Sequence, residues 1–195
     1  MTSPLLQSTQ TAAFADLWYE RRDHASRVVP LMKDFELEAL LPFFPLMALL
    51  NLDGQLPSTY RLWGTKLQEI FGVDLTGKTV LDMADPDTGS RMFAEIEAFL
   101  AAHGPDVVVG RWAEGLLRTT SGRELRVESL GLPYIEGVPP VTRRMLFAIP
   151  LETLAFGETL APQLSETQTR VFDARKGRPG WLHLDPHSNA AEIKI

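Results

Sequence analysis

Segments with helical and with strand-like spacing of apolar residues alternate along the chain. Near the start, Phe14, Leu17 and Trp18 recur at intervals of three and four residues, which predicts a helix over residues 8–22. The same spacing recurs in the stretch that ends at Gly104, where a glycine and a proline stop a second, longer helix. A helix is also predicted for LSETQTRVF, residues 164–172.

Five runs rich in apolar residues favour strands. PLMALLNLDGQLPSTYRLWG, residues 45–64, predicts two strands around a turn at Asn51, Asp53 and Gly54. After Asp106, three further runs predict a three-strand meander: VVVGRWAEGLLRTT, RELRVESLGLPYI and VTRRMLFAIPLE. The order of elements predicts an α+β domain on a five-stranded antiparallel sheet, with helices on one face.

The stretch YRLWGTKLQEIFGVDLTG, residues 60–77, joins a strand to a short helix. We expect Gly64 to permit a sharp corner and Thr65 to cap the helix. Gly72 and Gly77 end their segments at positions where positive φ is expected. These residues are predicted to be scaffold for a pocket between the helices and the sheet.

These residues carry a family resemblance. The order of elements resembles that of a PAS domain, and the core YRLxGTxLxxxFGxxLTG resembles a family of small bacterial stand-alone PAS proteins. The matching positions are Trp18, Arg27, Pro30, Leu40, Leu41, Pro42, Tyr60, Arg61, Leu62, Gly64, Thr65, Leu67, Phe71, Gly72, Leu75, Thr76 and Gly77. The resemblance covers about residues 14–153. Trp63 departs from it, because the family usually has a small residue there.

The resemblance implies a division of the chain and a class of function. Residues 1–45 are expected to form N-terminal helical segments, 46–153 the PAS-like domain and 154–195 a C-terminal tail. It implies a sensory or regulatory protein in signal transduction, which binds a small ligand, a partner protein or both. Alternatives are a ligand-free interaction adaptor and an enzyme on a cone-shaped α+β fold.

Soft and aromatic side chains of the predicted core are candidates for lining a ligand pocket. They are Tyr60, Leu62, Phe71, Met83, Phe93, Val109, Met145 and Phe147. Arg61 is expected to pair with an acid on the outer face or at an interface, and an anion anchor in the cavity is the alternative. Leu17, Trp18 and Trp112 are candidate interface residues, since the N-terminal helix is expected to cover Trp112, either within the chain or from the second subunit of a homodimer.

Composition limits the classes of binding partner and the cellular location that we expect for this protein. The net charge of −6 argues against a general nucleic-acid or anionic-membrane surface. No cysteine is present, which excludes disulfides, thiolate metal sites and a cysteine-dependent flavin photoreceptor. The start of the chain lacks the pattern of a signal peptide, so we expect a cytoplasmic protein with no membrane partner.

The residue types of an enzyme are present, but no motif organises them. Asp82, Asp85 and His103 are the candidates for acid–base chemistry, although helix capping explains the two aspartates as well. The run HLDPH, residues 183–187, has spacing that suits a metal, yet it lies in the predicted tail. His103 lies at a helix end, where it does not favour haem ligation. We therefore predict no catalytic site and no metal site, and leave the cofactor unknown, with neither haem nor flavin indicated.

Overall fold

The computed structural model describes residues 6–52, 58–104, 106–138, 140–161 and 163–184. Six antiparallel strands form one sheet in the order β2-β1-β5-β4-β3-β6. Their bounds are Met47–Asn51, Thr59–Trp63, Val109–Arg118, Glu124–Glu136, Val141–Pro150 and Ser165–Asp173 for β1 to β6. The helices are Thr9–His24, Leu37–Leu40, Thr65–Phe71 and Pro86–His103 for α1 to α4. The α+β class and the antiparallel sheet are confirmed, with six strands where five were expected.

The sixth strand corrects the helix predicted for residues 164–172. β6 pairs with β3 from Val109↔Asp173 to Leu116↔Ser165. The threonines and Val171 of this segment are β-branched, which suits a strand, and β3 offers them an edge with free backbone groups. Part of the segment expected as a tail therefore belongs to the sheet. The predicted turn residues Asp53 and Gly54 lie outside the described residues.

α1 covers one face of the sheet, which we call the outer face. Its Phe14 stacks on Phe147 of β5, with ring centroids 5.4 Å apart. Trp18 is fully buried, and its Nε1 donates a hydrogen bond of 2.7 Å to the carbonyl of Pro133 in β4. Large apolar side chains from both layers thus fill the space between helix and sheet.

α3 and the α4 region lie on the opposite face, the inner face. α3 begins one residue earlier than expected. Gly64 occupies the N-cap position, Thr65 is the first helical residue, and no side chain caps the helix. Gly64 has an ordinary φ of −62°, so the need for glycine comes from space. A Cβ there would lie 2.4 Å from the carbonyl oxygen of Pro45. Gly72 and Gly77 adopt the expected positive φ, at 65° and 82°.

The described end of the chain returns to its described start. The amide of Leu6 donates to the carbonyl of His183 at 3.1 Å, and Trp181 packs edge-on against Phe172 of β6. Along the described ranges, no helix combines the length and the apolar character that crossing a membrane requires.

Candidate functional site

The inner face of the sheet carries small side chains where its central strands meet. Ala113 and Gly115 of β3 lie beside Ser129 and Gly131 of β4, followed by Ala148 of β5. α3, α4 and the segment between them cover these positions. Since small residues cannot fill the space below the helices, a cavity of about 100 Å³ remains.

The cavity has a mostly apolar lining with a few charged groups. Its walls are Leu50, Tyr60, Trp63, Phe71, Val80, Met83, Ala84, Met92, Arg111, Ala113, Gly115, Leu117, Val127, Ser129, Gly131, Arg144, Leu146, Ala148, Leu164 and Glu166. Residues from all six strands, from α3 and α4 and from the segments next to them therefore converge on one space. This combination of apolar walls and few polar groups is typical of a small-molecule site.

Two arginines and one glutamate supply the charge. Arg111 of β3 binds Glu166 of β6 through two hydrogen bonds, one of them 2.8 Å from Nη1 to Oε1. Both side chains are almost fully shielded, at 10% and 7% exposure. The bidentate geometry fixes the position of the Arg111 guanidinium at the edge of the cavity.

Arg144 of β5 has no carboxylate partner within the described ranges. Its Nη2 lies 3.4 Å from the carbonyl oxygen of Val109, which is a weak contact. Burial, together with the neighbouring charge of Arg111, lowers the pKa of Arg144 to about 10. The stem of Arg144 lies across Gly131, where a Cβ would come within 2.8 Å of the arginine Cδ. A glycine at this position thus leaves room for the arginine along the inner face.

Three buried nitrogens of the lining have no hydrogen-bond partner among the residues that the structure describes. They are Nε1 of Trp63, Nε of Arg111 and Nε of Arg144. All three belong to groups that donate and have no lone pair to accept. The site therefore offers unused donors and positive charge.

A family model described as PAS domain matches residues 6–143, well over half of the chain. The chain is a PAS-domain protein. Neither the curated proteins nor the solved structures include a match to it. Membership in the PAS family points to a sensory or regulatory role in general.

The PAS sheet brings three of the predicted pocket residues together. Tyr60, Phe71 and Met83 all line the cavity. Tyr60 and Phe71 both pack edge-on against Trp63, with ring centroids 4.9 and 5.5 Å from it. Burial raises the pKa of the Tyr60 phenol, so this group stays protonated at neutral pH.

Met145 and Phe147 do not reach the cavity, which corrects their prediction as pocket residues. Both are fully buried on the outer face, where Phe147 meets α1. Successive strand residues point to opposite faces, so Arg144 and Leu146 take the inner positions of β5. Leu62 is also absent from the lining; it pairs with Leu49 and is 39% exposed.

The remaining two predicted pocket residues lie near the cavity without lining it. Phe93 of α4 is half-buried, and its neighbour Met92 is the helix residue in the lining. Val109 is half-buried at the start of β3 and contributes only its carbonyl, through the contact with Arg144.

Sequence reasoning missed the charged residues of the lining. Arg111, Arg144 and Glu166 lie in strands where arginine and glutamate ordinarily face solvent. The available signal was the strand alternation itself, since Arg144 and Leu146 share a face opposite to Met145. Trp63 departs from the family pattern, and the structure places it in the cavity wall.

Arg61 pairs with Glu136 of β4, as the structural alternative predicted. Its side chain is 44% exposed and lies away from the cavity. A register irregularity between Leu49 and Leu50 leaves both Arg61 and its neighbour Leu62 exposed. The anion anchor considered for Arg61 thus has no support in its position.

The candidate interface residues lie largely within the chain. Trp112 is 1% exposed, and its Nε1 donates to Oε1 of Glu128 at 3.1 Å. Trp18, a residue of α1, is equally buried against the sheet, and Leu17 is half-buried. The chain therefore buries both tryptophans itself, Trp18 between α1 and the sheet and Trp112 beside Trp181.

The residues considered for acid–base chemistry do not converge. Asp85 caps α4, and the hydrogen bonds from Thr88 and Asp87 lower the pKa of its carboxyl. His103 lies at the other end of this helix of 18 residues, about 25 Å away at 1.5 Å per residue. Asp82 binds the amide of Thr79 at 2.7 Å. These contacts are structural.

Metal ligation has no cluster to support it in the described part of the chain. No group of three or more histidine, aspartate or glutamate side chains comes together there. Of the run HLDPH, only His183 and Leu184 are described, and the run's other residues lie outside the described ranges.

Proposed function

We propose that this PAS-domain protein is a signalling protein of the small bacterial stand-alone kind, which binds a small molecule in the inner cavity. The observation that supports this is the cavity itself, about 100 Å³ between the sheet and its covering helices. It is lined mostly by apolar side chains and carries polar groups without partners among the described residues. Such a site suits binding, and the contacts of Asp82, Asp85 and His103 favour a function without catalysis.

The sheet offers a route by which binding affects distant surfaces. Along β5, Arg144 and Leu146 line the cavity, while Met145 and Phe147 lie between them on the outer face. A ligand that moves the inner side chains shifts the same backbone that supports α1 through Phe14. We propose that a protein effector detects this change in the bacterial cytoplasm.

Native mass spectrometry of the full chain tests the proposed ligand. We expect a mass above that of the polypeptide, which disappears after denaturation. If the protein purified directly from its cells and the protein exposed to a library of small metabolites both show only the polypeptide mass, ligand binding is overturned.

One observation favours the second candidate, an interaction adaptor that needs no ligand. Val28, Leu37 and Leu41 are each more than half exposed, at 57%, 59% and 54%. They lie after α1 and in or beside the short helix α2. Exposed apolar residues of this size are common at protein interaction sites. Replacing all three by serine is expected to abolish effector capture under this second function.

The homodimer stays a prediction. Static light scattering at micromolar concentration measures the mass directly, and a monomer mass would contradict it. Since Trp18 and Trp112 are internal, a dimer would use other residues of the surface.

A further inference from the structure

The charge inside the cavity is not balanced by the residues around it. Arg111 has its carboxylate, Glu166, at the cavity edge. Glu95 lies 3.9 Å from Arg111 and is 41% exposed, so water also solvates that carboxylate. Arg144 is left with a weak contact to a carbonyl and with the repulsion of Arg111. A buried cation without a partner is unfavourable, and a bound anion removes this cost.

The positions of the donors define where an anion would lie. One cross-strand row runs from Trp63 through Ala48, Leu146 and Gly131 to Arg111. Arg144 lies next to this row, with its stem over Gly131. The two arginines therefore flank one end of the cavity floor, and Trp63 closes the opposite end.

Volume and lining limit the rest of the ligand. A cavity of about 100 Å³ is well below the ~300 Å³ that bounds drug-sized pockets. The surfaces between the charged end and Trp63 are apolar, among them Leu50, Met83 and Leu146. An inorganic oxyanion would leave these surfaces without contacts, whereas a short hydrocarbon chain matches them.

We infer that the inner cavity binds a small organic monocarboxylate, with its carboxylate against Arg144 and Arg111 and its short carbon chain toward Leu146. One negative charge balances the single positive charge left after the Arg111–Glu166 pair. Carboxylates accept from arginine in well-defined geometry and have the lone pairs that the unused donors lack. The inference rests on the proposed ligand-binding function and adds the charge and size of the ligand.

Isothermal titration of the full chain with propionate and with propionamide tests the charge. The two probes have nearly the same shape, and only the first is an anion at pH 7.5. We expect propionate to bind at least about tenfold more tightly and to raise the melting temperature. Equal affinities would overturn the assignment of an anion while leaving a ligand-binding function in place.

Arg144→Met tests the position, because it keeps the stem and removes the charge. We expect propionate affinity to fall at least about tenfold and propionamide affinity to stay the same. Arg118→Met is the matched control, since Arg118 is 69% exposed and pairs with Glu124. Unchanged propionate binding by the Arg144 variant would overturn the site. Should that variant fail to fold, Gly131→Ala displaces the Arg144 stem and gives the same test.

Sulfate and phosphate at equal ionic strength separate a carboxylate site from a general anion site. Binding of either as tight as that of propionate would overturn the organic part of the inference. If every probe fails but a co-purifying mass is found, a small monocarboxylate supports the inference and a neutral compound contradicts it. If every probe fails and no mass co-purifies, the inference and the proposed function fall together.

Discussion

The two faces of the sheet carry different side chains, although the same strands build both. On the outer face, Leu130, Leu132 and Phe147 are fully buried below α1. On the inner face, the same strands present Gly131 and Ala148 to a cavity of about 100 Å³. Alternation along a strand thus lets one backbone serve a filled core on one side and a binding space on the other.

The largest effect on stability is expected from removing a large side chain between α1 and the outer face. Trp18→Ala removes a fully buried indole and the hydrogen bond to Pro133. The free energy of unfolding, measured by urea denaturation, should fall by about 3–5 kcal/mol. A loss below 1 kcal/mol would show that α1 contributes little to the stability of the sheet.

A pair of Trp→Phe changes isolates the indole N–H on each face. Trp18→Phe leaves the carbonyl of Pro133 without its donor, whereas Trp63→Phe removes a donor that has no partner among the described residues. The first change should cost about 1–3 kcal/mol more than the second. Equal losses would contradict the difference between the faces.

Glycine replacements compare how each face tolerates an added methyl group. A Cβ at Gly110 would lie 2.4 Å from the ring of Phe172, which Trp181 holds in place on the outer face. Gly110→Ala should cost about 1–3 kcal/mol. Gly131→Ala meets only the flexible stem of Arg144, so its loss in urea denaturation should be smaller. The reverse order would show that the inner face is the more tightly packed.

The titration of Glu128 gives the outer face a pH dependence. Burial raises the pKa of Glu128, which accepts from the amides of Gln7 and Ser8 at 2.9 and 3.1 Å. The folded state then binds a proton more readily than the unfolded state. The protonated group therefore stabilises the fold fully below the ordinary glutamate pKa, and this stabilisation is lost as pH rises through the raised pKa of the folded state.

We therefore expect wild type to lose stability relative to Glu128→Gln as pH rises above the ordinary glutamate pKa, by about 1.4 kcal/mol per unit of pKa shift. Urea denaturation at several pH values measures the difference. Glu124→Gln, the same replacement at a side chain that is 55% exposed, is the matched control. A flat difference for Glu128→Gln would mean that the carboxylate keeps its ordinary pKa.

The smallest effect is expected from filling the inner cavity. Ala148→Val adds two methyl groups to the lining and should raise the free energy of unfolding by about 0.5 kcal/mol. Ala15→Val adds the same volume beside the outer face, where Ala15 is fully buried, and should lower it. Thermal melts of both variants make the comparison; a stabilised Ala15 variant would contradict it.

The periodic elements could be predicted from the sequence because their signals are local. Helical spacing identified α1, and the break at Gly72 identified the end of α3. β6 could not be identified in this way. Its polar residues mark neither a core strand nor a core helix, and only the neighbouring edge of β3 makes it a strand.

The cavity was only partly predictable, because periodicity separates the two faces of a strand without saying which face holds the pocket. Large side chains such as Met145 and Phe147 resemble pocket walls in sequence, but they fill the face that α1 covers. Arg144 resembles a surface residue until Gly131 makes room for it and the helices shield it. These facts depend on packing between residues that are distant in the chain.

The segment after α3 also determines how another protein can approach the sheet. Gly77 donates its amide to the carbonyl of Tyr60 at 2.7 Å, and Tyr60 donates to the carbonyl of Lys78 at 2.8 Å. These bonds use the backbone groups at this edge of β2, while β6 occupies the corresponding edge of β3. An added strand from a partner would have to displace this segment at the edge of β2, whereas β6 is itself the last strand at the other edge of the sheet. Strand addition that leaves the fold intact is therefore directed to the edge of β6 and away from this part of β2.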